Sequence, residues 1–112
     1  MSKTQELRQV KAAQNQLLFR SMNQQMQKIG ERLLNDVQDM DFACECNDPT
    51  CVQSMTMPLA DFKEIDRMHN RFLVLSGHED LDVEEVMGRH DGYVVVAKRG
   101  AGEEYVRQHE AV

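Results

Sequence analysis

All three cysteines of this 112-residue chain lie within eight positions, in the segment FACECNDPTC at residues 42–51. Side chains two residues apart in a strand lie on the same face, so Cys44 and Cys46 should point to one side. The intervening Asn-Asp-Pro-Thr predicts a turn that returns Cys51 to this pair. Three converging thiolates favour a zinc ion, which proteins bind through Cys and His in tetrahedral sites. We call residues 42–51 the cysteine knuckle.

A zinc site with three cysteines needs a fourth ligand, and histidine is a common one. We expect His78, because it lies just beyond the apolar segment 71–76, at a strand end where neighbouring loops meet. His90 is the second choice, and Asp48 or Glu79 could supply an oxygen ligand instead. The predicted metal set, which we call the ligand cluster, is Cys44, Cys46, Cys51 and His78.

Two other interpretations of the knuckle remain open. Cys44 and Cys46 could be small buried strand residues, with Cys51 an ordinary thiol beside a turn. A redox sensor would instead need exposed thiols with depressed pKa values. Zinc is favoured over both, because a body of about sixty residues lies near the lower limit of stability without a metal, a disulfide or a partner.

The composition also limits the environment of the chain. The sequence has no long apolar run and no basic-then-apolar leader, so we expect neither a membrane span nor a secretory signal. The expected location is the cytoplasm, where thiols stay reduced. An odd number of cysteines further disfavours a disulfide framework within one chain.

The N-terminal third predicts a long amphipathic helix, because residues 3–38 contain no proline and are rich in Gln, Leu, Met, Lys and Arg. Its apolar residues recur mostly three or four positions apart. We call them the apolar stripe: Leu7, Val10, Leu18, Met22, Met26, Ile29, Leu33 and Val37. A helix of about thirty residues would be about 45 Å long, so part of it should project from the body or pair with another copy.

The predicted fold class is α+β. A long N-terminal helix should precede a small sheet of three to four strands, two short helices and a Cys-rich hairpin. We divide the chain into an amphipathic helix at 1–38, a compact body at 39–99 and a flexible tail at 100–112. The tail is expected to fray because its residues are small or charged.

Within the body, strands and helices are expected to alternate. Apolar alternation predicts strands, and Pro58 suits the first turn of a helix that buries Leu59, Phe62 and Ile65. The expected elements are a hairpin of strands 41–46 and 51–57, a helix at 58–69, a strand at 71–76, a helix from 80 or 82 to 89, and a strand at 93–98 that follows an Asp-Gly turn.

Charge is distributed unevenly along the chain. Residues 1–34 carry six basic and two acidic side chains, whereas residues 35–112 carry seven basic and seventeen acidic ones. This split suits a basic helix lying against its own or a neighbour's acidic body. A nucleic-acid-binding arm is disfavoured, because six bases spread along a long helix form a thin patch.

Several segments follow one another along the chain in a distinctive order: NQLLFRSMNQQMQKIGERL, the knuckle F-x-C-E-C-x-D-x-x-C, LADFKEI, RFLVLSGHE and DGYVVVAKR. Together they resemble a family of small bacterial proteins of unassigned function. The resemblance covers most of residues 15–99. It implies that the ligand cluster and Glu79 belong to one pattern, and it implies no activity.

The sequence thus predicts a non-enzymatic, zinc-stabilised interaction or regulatory module that self-associates or docks a protein partner through residues 3–37. A closed site of three cysteines and one histidine leaves no coordination position open for catalysis. The sequence also has no phosphate-binding glycine loop and no metalloprotease histidine pair. The alternatives are a nucleic-acid-associated regulator that uses the basic helix, and a thiol redox sensor.

Overall fold

The computed structural model describes residues 3–68 and 70–109, and these residues adopt the predicted α+β fold. The elements are, in chain order, α1 (Lys3–Leu33), β1 (Asp39–Ala43), β2 (Ser54–Pro58), α2 (Leu59–Arg67), β3 (Arg71–Leu75), β4 (Glu84–Arg89), β5 (Tyr93–Lys98) and α3 (Gly100–His109). Strands β1 and β2 form an antiparallel hairpin, and the other three form an antiparallel sheet in the order β3-β5-β4.

The core lies between the three-stranded sheet, α2 and the hairpin. Strand β5 is buried along its whole length, because a neighbour pairs with it on each side. Helix α2 buries Leu59, Phe62 and Ile65 as predicted, and the ring of Phe62 stacks on that of Phe42 with 4.4 Å between centroids. The helix ends at Arg67, before the predicted end at His69, which lies outside the described residues.

Helix α1 spans the whole length of the molecule and packs against α3, β1 and α2, so the expected projection from the body is not observed, and pairing with another copy stays a prediction. Its 31 residues correspond to about 46 Å, and the longest dimension of the molecule is also 46 Å. Helix α3 covers its N-terminal half, where Gln9 Oε1 accepts a hydrogen bond from the Ala101 N–H at 3.1 Å. The hairpin covers its second half, where the Asn23 side chain bonds both backbone groups of Ala43.

The flexible tail predicted over residues 100–112 is wrong for Gly100–His109, which form α3. This helix buries Gly102 and Val106, and α1 is its main neighbour. A side chain at 102 would place its Cβ only 3.0 Å from the Gln9 carbonyl oxygen, so glycine permits the close approach of the two helices. The long helix is also shorter than predicted and ends at Leu33.

The helix predicted from 80 or 82 to 89 is wrong as well, because Glu84–Arg89 form strand β4. This segment pairs with β5, and Glu84 lies opposite Lys98 in the register. The hairpin strands are shorter than predicted, so the cysteines lie in the loop between β1 and β2.

Helix α1 turns a mixed face inward, in which polar side chains lie among the buried Ala12, Ala13, Phe19 and Gly30. It buries Gln9, Gln16, Arg20 and Asn23, whereas seven of the eight residues of the apolar stripe are exposed and Val10 is half-buried. The buried polar side chains form hydrogen bonds and ion pairs with residues of the body and of α3. The apolar side chains of the stripe could not form such bonds. Among the described residues, no helix has the length and apolar character needed to cross a membrane.

Candidate metal centre

The cysteine knuckle is shaped by backbone bonds and one aspartate. The N–H of Cys44 donates to the Gln53 carbonyl at 3.0 Å, which extends the hairpin by one residue. Asp48 Oδ1 accepts from the N–H and hydroxyl of Thr50 at 2.9 and 2.7 Å. The Cys51 N–H donates to the Asp48 carbonyl at 3.1 Å. This turn brings Cys51 back towards the other two cysteines, as the sequence predicts.

His78 reaches the knuckle from the loop after β3. Its N–H donates to the Leu75 carbonyl at 2.9 Å, which closes a tight turn. Gly77 within this turn has φ +93°, a left-handed conformation that favours glycine. Glu79 Oε1 accepts from the Gly77 N–H at 2.7 Å. The turn thus presents the imidazole of His78 to the sulfur atoms.

The four ligand atoms of the cluster all lie within 4.8 Å of one another. His78 Nδ1 is 3.6 Å from Cys44 Sγ and 3.8 Å from Cys51 Sγ. Zn–S and Zn–N bonds of about 2.3 and 2.0–2.1 Å in a tetrahedron give S···N edges of roughly 3.6 Å. The ligand cluster could therefore hold a metal ion, and the two S···N distances to His78 are close to the edges of a tetrahedral site.

The other candidate ligands are engaged elsewhere. His90 stacks on the ring of Tyr93, with 4.7 Å between centroids. The carboxylate of Asp48 binds Thr50, and that of Glu79 binds the Gly77 N–H and Arg89. Among residues 3–68 and 70–109, the ligand cluster is the group of metal-binding side chains that converges.

Burial disfavours the deprotonated form of two thiols in the cluster. It raises the pKa of the Cys44 thiol above its usual range, although the Leu75 N–H donates to Sγ at 3.3 Å and opposes the rise. Burial also raises the pKa of Cys46. A divalent cation would supply the charge that stabilises two buried thiolates, and its binding would release their protons.

Glu45, between two of the cysteines, is fully buried and anchors the knuckle to the rest of the molecule. Its carboxylate accepts two hydrogen bonds from Arg20, one from Asn23 and one from the Leu73 N–H, all between 2.7 and 3.0 Å. Arg20 also pairs with Asp66 at 3.0 Å and donates to a backbone carbonyl of β3. Helix α1, the knuckle and the sheet therefore meet at one carboxylate.

The opposite charges in this network stabilise one another. Burial alone would lower the pKa of Arg20, but the carboxylates of Glu45 and Asp66 outweigh this effect and raise it. The guanidinium also lies over the ring of Phe72, 4.7 Å from its centroid. Arg20 thus keeps its positive charge inside the protein.

A polar cleft of about 350 Å³ borders the ligand cluster on its solvent side. Cys46 and His78 line it, together with Asn47, Asp48 and Asp80. The Asn47 side chain spans part of it by donating to Asp80 at 2.9 Å. His78 is half-buried and lines the cleft, so a metal ion could enter from this side.

Sequence reasoning missed Glu45 and its partners. Gln9, Gln16, Arg20 and Asn23 recur at helical spacing, but this pattern does not mark their face as buried, because glutamine and asparagine occur on the other faces of α1 as well. Comparison with known proteins gives no further guidance, because no family model, curated protein or solved structure matches this chain.

Proposed function

We propose that the protein is a zinc-stabilised, non-enzymatic interaction module. The ligand cluster holds one zinc ion that ties the knuckle to the loop after β3. The convergence of its four ligand atoms, with S···N distances of 3.6 and 3.8 Å, carries this proposal. Four protein ligands leave no open coordination position, so zinc stabilises the fold and does not catalyse. A reducing compartment such as the cytoplasm suits these free thiols.

Helix α1 provides the interaction surface in this proposal, through self-association or a protein partner. Support comes from the exposure of the apolar stripe, in which Leu18 and Leu33 are 63% and 72% exposed. Monomeric proteins rarely leave contiguous apolar surface in water unless a partner covers it.

Two observations weigh against the alternative functions. The thiol pKa values of Cys44 and Cys46 are raised by burial, whereas a redox sensor needs depressed values. For nucleic-acid binding, α1 offers fewer unpaired basic side chains than the sequence indicates. Arg20 is buried against Glu45, and Arg8 pairs with Asp82 at 3.5 Å.

Elemental analysis of native protein, purified without added metal, tests the zinc proposal. We expect one zinc ion per chain and a lower melting temperature after treatment with a strong chelator, because zinc bound by thiolates contributes on the order of 10 kcal/mol to folding. Metal-free native protein whose melting is insensitive to zinc would contradict the proposal.

A further inference from the structure

A cleft of about 440 Å³ lies between helix α2 and the three-stranded sheet, and no member of the ligand cluster lines it. Small-molecule sites in proteins are mostly apolar and have volumes of about 300–1,000 Å³. The walls of this cleft are also mostly apolar, with Ile65 and Met68 from α2, Met87 from β4 and Val95 from β5. We call it the α2 cleft.

A β-bulge lies on the sheet side of the α2 cleft. The register of β4 on β5 shifts between Val86 and Gly88, so within the described strands Met87 lies opposite no residue of β5. Gly88 lines the cleft without adding a side chain to it. Met68 and Met87 are 44% and 45% exposed, and methionine side chains adapt to differently shaped apolar surfaces. These two walls can therefore adjust to a ligand.

Two opposite charges line the α2 cleft without pairing with each other. The ion pairs and side-chain hydrogen bonds within residues 3–68 and 70–109 include neither the Asp61 carboxylate nor the Arg71 guanidinium. Glu64 also lines the cleft, but its carboxylate pairs with Arg67 on the surface. The charges of Asp61 and Arg71 are therefore available to a ligand.

Asp61 and Arg71 lie at opposite ends of the α2 cleft. Asp61 is in the first turn of α2, whereas the Arg71 N–H donates to the Met68 carbonyl beyond the last turn, at 3.2 Å. Positions 61 and 68 are about 10 Å apart along a helix.

The sheet shows the same separation. Arg71 pairs with Ala97, four residues along β5 from Tyr93, which corresponds to about 14 Å of strand. Burial and the nearby charge of Asp61 raise the pKa of Tyr93, so the Asp61 carboxylate lies at the Tyr93 end. The cleft thus has an acidic end and a basic end with apolar walls between them.

We infer that the α2 cleft binds a short apolar peptide in extended form, with its N-terminal ammonium at Asp61 and its C-terminal carboxylate at Arg71. An extended tripeptide is about 10 Å long, which suits the separation of the two ends. A free amino acid carries both charges on one carbon atom and could reach only one end. This peptide site goes beyond the proposed function, because it involves neither the apolar stripe nor the zinc ion.

Isothermal titration calorimetry of the full chain tests the inference with the tripeptide Leu-Val-Leu in three forms: with free termini, N-acetylated and C-amidated. For the wild-type protein, we expect each modification to weaken binding roughly tenfold, because each removes one charged contact. Asp61→Asn should bind the free and acetylated forms alike. Arg71→Gln should bind the free and amidated forms alike.

Two matched variants control for general effects of charge. Asp39→Asn and Arg32→Gln alter exposed side chains outside the α2 cleft, and all three affinities should stay unchanged in both. Nuclear magnetic resonance of methyl-labelled methionine locates the peptide, since the signals of Met68 and Met87 should shift and that of Met22 should not.

The modified peptides test the inference on the wild-type protein, so the result does not depend on the folding of a variant. The inference is overturned if the free tripeptide does not bind at millimolar concentration, or if it binds no more tightly than both modified forms. Methionine shifts at Met22 in place of Met68 and Met87 would also overturn it.

Discussion

Arg20 and Glu45 form a two-point ion pair inside the protein, with Nε 2.7 Å from Oε2 and Nη2 2.9 Å from Oε1. Glu45 lies between Cys44 and Cys46 in the chain, and Arg20 lies near the middle of α1. The pair therefore links the long helix directly to the candidate metal centre. A change that displaces the knuckle should therefore also displace helix α1, and a change in the helix should likewise affect the knuckle.

Replacing Arg20 by methionine should destabilise the fold strongly. Glu45 would keep its buried charge and lose two of its four hydrogen bonds, and breaking a buried ion pair from one side costs about 3–5 kcal/mol. Urea unfolding of the zinc-loaded protein measures the change. Lys63→Met is the matched control, because the ion pair of Lys63 with Asp36 is solvent-exposed and should contribute little. Equal losses in both variants would contradict the role assigned to Arg20.

Two histidine variants should separate the metal ligand from its competitor. His78→Gln should weaken zinc binding by more than about a hundredfold, since changes outside the ligand set alone weaken metal affinity by about 10–100-fold. His90→Gln should leave the affinity unchanged, because His90 stacks on Tyr93 and lies outside the ligand cluster. Competition with a chromophoric chelator measures both. A larger loss in His90→Gln would reassign the fourth ligand.

Helix α3 should contribute to stability. Val106 is 1% exposed, so Val106→Ala should reduce the free energy of unfolding by about 2 kcal/mol through lost apolar burial and the resulting cavity. Val37→Ala removes the same atoms from a side chain that is 78% exposed, and the expected change is within about 0.5 kcal/mol. If thermal or urea unfolding finds the two variants alike, α3 does not pack as described.

The fold class, the hairpin and three of the body's elements could be predicted from sequence because their signals are local. Apolar alternation gives β3 and β5, and the proline at 58 marks the start of α2. The segment 80–89 is predicted as a helix because Val83 and Val86 have helical spacing, and the alternation of β4 appears only in its burial, with Glu84 and Val86 turned inward and Glu85 and Met87 exposed. Pairing with β5 decides between them, because residues 84–89 and 93–98 form a hairpin across the turn at 90–92.

The candidate ligand cluster was accessible to sequence reasoning, and the network behind it was not. Three cysteines in eight residues have few physical explanations, and a histidine at a strand end is a natural fourth ligand. A buried ion pair such as Arg20–Glu45 has no local signature, because each side chain alone resembles a surface residue. Burial of a helix face depends on which partners the fold supplies, so the sequence alone does not show which face of α1 is buried.

A second buried ion pair offers a test that includes pH. Lys98 and Glu84 are fully buried on neighbouring strands, with Nζ 3.1 Å from Oε2. Glu84 also accepts from Gln16 at 2.9 Å and from the Asp80 N–H at 2.8 Å. Glu84→Gln should cost about 3–5 kcal/mol near neutral pH, because it leaves the Lys98 ammonium buried without an opposite charge. The double variant Glu84→Gln/Lys98→Met should recover most of this loss.

The cost of Glu84→Gln alone should fall as pH rises. Burial lowers the pKa of Lys98 below 10.5, and Glu84 opposes this shift, so removing the carboxylate should lower it further. Between the folded pKa and 10.5, unfolding takes up a proton, and stability therefore rises with pH in this window. Urea unfolding at about pH 7 and about pH 10 compares the variant with wild type, which cancels other titrations. A cost that is independent of pH would mean that Lys98 does not lose its proton in the folded variant.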